Sequence, residues 1–245
     1  MKKNVMMRVA SIMLVLVLMS SSVISGTFAK YVTADSGSDN ARVAKFGVTV
    51  EIEDESSFAA KYATHDTVHY DGAFSVEAKN GTDKVVAPGT SSTNLGSDVT
   101  FTITGTPEVA TYLTISFDAI SDIYLGAGTY DDPTTAAAGT FDVGAEGYHP
   151  VKFTLKSNKG VDITGKTLAE LETAFNALSK QYAPNVPLDE TFTLTWEWAY
   201  GTFSGVTYED RCDTMLGNLA ATPDAGIDYS TDLEYSLSIT VTQVD

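Results

Sequence analysis

Three histidines, one cysteine and a large excess of carboxylates are the residues of this 245-residue chain that could do chemistry. His65 and His69 are four apart, which on a strand puts them on one face, but His149 lies far away in sequence and no third ligand is indicated. Surface histidines are expected there rather than a metal site. Cys212 stands among Glu209, Asp210 and Asp213, whose negative charge raises a thiol pKa instead of activating it. It reads as a buried, inert thiol. There is no HExxH pair for a zinc hydrolase, and no glycine-rich phosphate loop between a strand and a helix. Glu51, Glu53, Asp54 and Glu55, and again Asp131 and Asp132, offer the oxygen ligands that calcium takes, but without EF-hand or RTX spacing. A solvated acidic face is the expectation. Trp196 and Trp198 share a strand face, which places both indoles in a core rather than on a sugar-stacking platform. The residues therefore predict a protein that is not an enzyme and needs no cofactor or metal.

The elements that would carry these residues are mostly strands. Phe46, Val48, Val50 and Ile52 alternate with polar or small residues, as do Val99, Phe101 and Ile103. The pattern recurs at Leu113, Ile115 and Phe117, at Val151, Phe153 and Leu155, at Phe192, Leu194, Trp196 and Trp198, and at Tyr235, Leu237, Ile239 and Val241. A weaker strand signal covers Thr67–Val76. Thr167-Leu168-Ala169-Glu170 is a capping box, followed by Leu168, Leu171, Phe175 and Leu178 at helical spacing. That helix should end near Gln181-Tyr182. A second, from about Tyr208 to Leu219, would turn Cys212, Met215, Leu216 and Leu219 inward. Both are expected across an end of the sandwich. Gly126–Gly147, rich in Gly, Ala, Thr and Asp, reads as a long exposed loop. The fold class expected is mostly β: a jelly-roll-like antiparallel β-sandwich with one or two short peripheral helices over residues 47–245.

The first 29 residues read as a signal peptide. Lys2, Lys3 and Arg8 precede the apolar run Val9–Met19, which is followed by small and polar residues. The run is shorter than the roughly 20 residues of a membrane span. Thr27 and Ala29 suit the −3 and −1 pockets of a signal peptidase, so cleavage is expected between Ala29 and Lys30. The net charge then moves from −17 to −20, because Lys2, Lys3 and Arg8 leave and no acid does. Such acidity argues against nucleic acid and anionic membranes as partners. A single cysteine excludes an internal disulfide and fits a bacterial surface protein. The mature chain is long enough to bury a core without cross-links.

Gly26-Thr27-Phe28-Ala29-Lys30-Tyr31, followed by Ser38-Asp39-Asn40-Ala41-Arg42-Val43-Ala44-Lys45-Phe46, resembles the leader and post-leader segment of the TasA/camelysin (CalY)-like proteins. These are secreted Gram-positive bacterial proteins processed by a SipW-type signal peptidase. Thr195-Trp196-Glu197-Trp198 and Asp210 with Asp213-Thr214-Met215-Leu216-Gly217 are similar to segments that recur among SipW-type proteins. The resemblance implies a jelly roll and an extracellular biofilm-matrix or cell-surface fibre. It implies assembly with other copies, or with related matrix subunits, by donor-strand exchange. The donor would be residues 30–46, with Tyr31, Val32, Val43 and Phe46 as anchors. Ala34–Asn40 is a poor strand former, which marks either a hinge between donor and body or a chain that does not polymerise. The metallopeptidase activity ascribed to camelysin does not carry over, because no matching ligand set is present. The alternative expectation is a monomeric surface adhesin or ligand-binding module, with the Gly126–Gly147 loop and the Trp pair as its site.

Overall fold

The computed structural model describes residues 42–53, 57–64, 71–94, 98–135, 139–200 and 206–244. The compact unit they build begins at Ala44. Fourteen strands follow one another: β1 (Val48–Glu53), β2 (Lys61–Ala63), β3 (Phe74–Glu77), β4 (Val99–Gly105), β5 (Thr111–Ser121), β6 (Tyr124–Leu125), β7 (Gly128–Asp131), β8 (Thr140–Val143), β9 (Val151–Ser157), β10 (Asp162–Lys166), β11 (Gln181–Tyr182), β12 (Glu190–Trp198), β13 (Tyr229–Ser230) and β14 (Glu234–Gln243). Helix α1 (Leu168–Ala177) lies between β10 and β11, and α2 (Tyr208–Ala221) between β12 and β13.

Two antiparallel sheets form the sandwich. One has five strands in the order β1-β4-β12-β9-β10; the other has three, in the order β11-β5-β14. The chain crosses between them from β4 to β5, from β5 to β9, from β10 to β11, from β11 to β12 and from β12 to β14, a jelly-roll-like connectivity. Alternation decides which side chains meet inside. Glu190, Phe192, Leu194, Trp196 and Trp198 of β12 are buried while the intervening threonines are half-buried. Phe192 stacks on Phe101 with centroids 4.6 Å apart and receives Phe175 of α1 edge-on. Trp196 packs on Phe58 and Tyr62, and donates its indole N–H to the Ser57 carbonyl at 2.8 Å. Trp196 and Trp198 are 2% and 6% exposed, so both indoles are core.

Both helices begin where local chemistry places them. Thr167 and Glu170 form the expected capping box, and Thr207 and Asp210 form a second one. α1 ends earlier than its spacing suggests. Leu178 is its exposed C-cap, Ser179 adopts a left-handed conformation (φ 49°), and Gln181-Tyr182 becomes strand β11. Nor does α1 lie across an end: it packs along β5, β9 and β10, down one side of the sandwich.

Gly126–Gly147 is not an open loop. β7 and β8 pair as a hairpin, Phe141 and Val143 are buried, and Tyr130 Oη donates to the Gly126 carbonyl at 2.8 Å. Arg211 Nε on α2 bonds Asp132 Oδ2 at 2.8 Å and pins the hairpin. The reason is economical: two apolar side chains on β8 suffice to bury a short hairpin whose other residues are small. Of the weak Thr67–Val76 signal, residues 71–76 are described and reach strand β3 at Phe74.

The Phe101–Phe192–Phe175 stack ties β4 and β12 of the five-stranded sheet to α1. Phe192→Ala is expected to destabilise the fold by about 3–5 kcal/mol, read as a lower urea midpoint. A change under about 1 kcal/mol would show that the stack does not organise the core.

Candidate functional site

The two sheets differ in how their margins are finished. On β5 the amide N–H groups of Leu113, Ile115 and Phe117 point away from β14. They are taken by the Lys180 carbonyl (2.9 Å), Asn176 Oδ1 (3.2 Å) and Glu172 Oε2 (2.8 Å). The residues between them therefore bond β14, pairing Tyr112, Thr114, Ser116 and Asp118 with Thr242, Thr240, Ser238 and Ser236. Parity then fixes the rest of β14. Leu237, Ile239, Val241 and Gln243 turn their own N–H and C=O groups outward, where no strand pairs with them among the described residues.

The same residues carry the apolar row of β14. Leu237, Ile239 and Val241 pack on the core yet are only half-buried, whereas their β5 counterparts Leu113, Ile115 and Phe117 are buried. Across the core the five-stranded sheet also ends in an open margin. Among the described residues β1 pairs only with β4, and of its apolar row Ile52 remains 41% exposed. β1 and β14 are the edge strands remote from α1, so one side of the sandwich is closed and the other is open. The open side is blocked at one end, where Phe58 packs on Tyr235 and Ser57 Oγ lies 2.9 Å from Tyr235 Oη. Beside this block is a cavity of about 510 Å³, walled by Phe58, Val85, Val86 and Leu233, with Lys84 and Glu234 at its polar part.

The residues singled out for assembly fall as follows. Thr27, Ala29, Lys30, Tyr31 and Val32 lie outside the described residues, as do His65, His69, Asp54 and Glu55. Val43 is 93% exposed and Phe46 40%. The Lys45 backbone is already held: its N–H reaches Glu108 Oε2 at 3.0 Å and its carbonyl accepts from the Glu108 N–H at 2.8 Å.

The titratable groups that stand out serve packing. Cys212 is buried on α2, and desolvation pushes its thiol up to about 11. Asp213 accepts from Tyr148 Oη (2.7 Å) and Trp198 Nε1 (3.0 Å), joining α2 to β12. Its burial, which outweighs these bonds, raises its carboxyl to about 6. His149 Nδ1 sits 2.8 Å from Asp122 Oδ2 under the stacked ring of Tyr124. Among the described residues no group of three or more His, Cys, Asp or Glu is placed to hold a metal. No family model, curated protein or solved structure matches the chain.

Asp213 predicts a pH dependence. It holds its proton more tightly folded (about 6) than unfolded (about 3.8), so its contribution is complete at acid pH and is lost as pH rises through 6. Asp213→Asn should flatten the fall in melting temperature between pH 5 and pH 7.5, an effect of at most about 1.4 kcal/mol, one pKa unit's worth. Identical profiles for the two proteins would show that Asp213 is not the group responsible.

Proposed function

We propose that the chain is a secreted structural subunit of extracellular matrix or cell-surface fibres. Its N-terminal segment adds itself as a strand to the open side of the next copy. The observation that carries this reading is the margin of β14, unpaired among the described residues, where outward peptide groups and a half-covered apolar row occur on the same residues. A donated strand satisfies both at once: main-chain hydrogen bonds give strength, and alternate side chains fill the gap between β14 and β1. The resemblance to TasA/camelysin-like proteins supplies the donor, which cleavage by a SipW-type peptidase would free outside the cell. Because Lys45 is tied to Glu108 in its own domain, the transferable part is residues 30–43. Fourteen residues reach about 46 Å when extended, enough to run the roughly 33 Å of β14. A contact between different surfaces of identical copies does not close on itself and yields a filament.

This reading needs no catalytic group or cofactor. The rival reading, a monomeric ligand-binding module, has its Trp platform inside the core and its long loop folded into a hairpin.

Electron microscopy and sizing chromatography of the chain starting at Lys30 test the proposal. Filaments are expected with the full segment and none when residues 30–43 are deleted. Ile239→Pro should also abolish them while leaving a folded domain, because it removes an outward N–H and edge strands tolerate such a proline. Ser238→Pro removes an N–H bonded to β5 and should instead unfold the sheet. A monodisperse monomer at all salt concentrations would sink the assembly reading.

A further inference from the structure

The strand-addition reading leaves open why only one margin of the three-stranded sheet would accept a strand. β5 has its own outward row, and β11 pairs with only Thr111 and Tyr112 of it. We infer that α1 is a built-in edge plug: its polar stripe impersonates a strand on β5 and, within the three-stranded sheet, restricts strand addition to β14. The bonds are those a neighbouring strand would make. Asn176 Oδ1 accepts the Ile115 N–H at 3.2 Å while Asn176 Nδ2 donates to the Ile115 carbonyl at 2.9 Å, filling both peptide positions of one residue. Glu172 Oε2 accepts the Phe117 N–H at 2.8 Å, and the Lys180 carbonyl accepts that of Leu113 at 2.9 Å.

Geometry explains why a helix can do this. Four helical residues rise about 6 Å, and two strand residues about 6.8 Å. Glu172 and Asn176, one turn apart, therefore fall opposite Phe117 and Ile115, two residues apart, and beyond the helix the Lys180 backbone carbonyl, just ahead of β11, serves Leu113. Leu168, Leu171 and Phe175 meanwhile face the core and hold the stripe in place. Open sheet edges recruit other chains unless covered, and here the cover is made of two side chains that can be removed without touching β5.

The test is Glu172→Ala with Asn176→Ala, made both in the chain from Lys30 and in its Ile239→Pro form. Amide exchange at Ile115 and Phe117 should quicken about tenfold or more. The Ile239→Pro chain, monomeric by itself, should gain concentration-dependent association in sedimentation. Glu172→Gln keeps the acceptor and should behave as the parent. If the double variant does not fold, Asn176→Ala alone must accelerate Ile115 while sparing Phe117. Unchanged exchange at both amides, or faster exchange without any new association, overturns the plug. Should the parent never form filaments while the plug-less chain associates, the plug stands and the fibre reading fails.

Discussion

A strand in a sandwich must have its inward side chains covered and both rows of peptide groups paired. Everything distinctive about this fold follows from how the three-stranded sheet meets that demand. With three strands facing five, its central strand β5 needs cover on one flank that β11 is too short to give. α1 supplies that cover, and in doing so closes one side of the sandwich. Nothing equivalent lies against β14 among the described residues, and the apolar rows of β14 and β1 stay half-covered as a result.

The closed side is secured by a buried charge. Glu190, at the start of β12, is wholly buried and accepts from Tyr182 Oη (2.6 Å), Ser157 Oγ (2.7 Å) and Lys180 Nζ (2.9 Å). Burial alone would raise its pKa, but these three donors together hold it below the ordinary glutamate value. An ion pair out of water contributes little net stability, yet it is intolerant of misplacement, because one lost partner leaves a costly orphan. Here it fixes the position of Lys180, whose carbonyl begins the row of acceptors along β5. The turn from α1 into β11 is thus determined by chemistry at the start of β12.

That dependence explains what the sequence could and could not disclose. Thr167 and Glu170 announce α1 because a capping box is local, and the Phe192–Trp198 alternation announces β12 because it is long and apolar. β7 and β8 were hidden, since Phe141 and Val143 carry the pattern for only one of two four-residue strands amid Gly, Ala and Thr. β11 was absorbed into the helix for the same reason: two residues have no period. The half-covered face of β14 was equally hidden, because its alternation promises a buried row and says nothing about a missing neighbour. Asn176 and Glu172 read as ordinary polar positions of a helix, and their role exists only once β5 lies alongside.

Charge gives the asymmetry of the sandwich a consequence for assembly. Copies carrying a net charge of −17 repel one another at low ionic strength, so a diffuse surface contact is poorly suited to joining them. Residues 30–43 are an exception within this chain: Lys30 and Arg42 balance Asp35 and Asp39, and the segment is neutral. A neutral strand entering a margin whose exposed groups are peptide dipoles and aliphatic side chains avoids most of that repulsion. In the proposed assembly, one open margin on the three-stranded sheet, served by a segment from elsewhere on the chain, would make each contact heterologous and leave a fresh margin at the end of every addition.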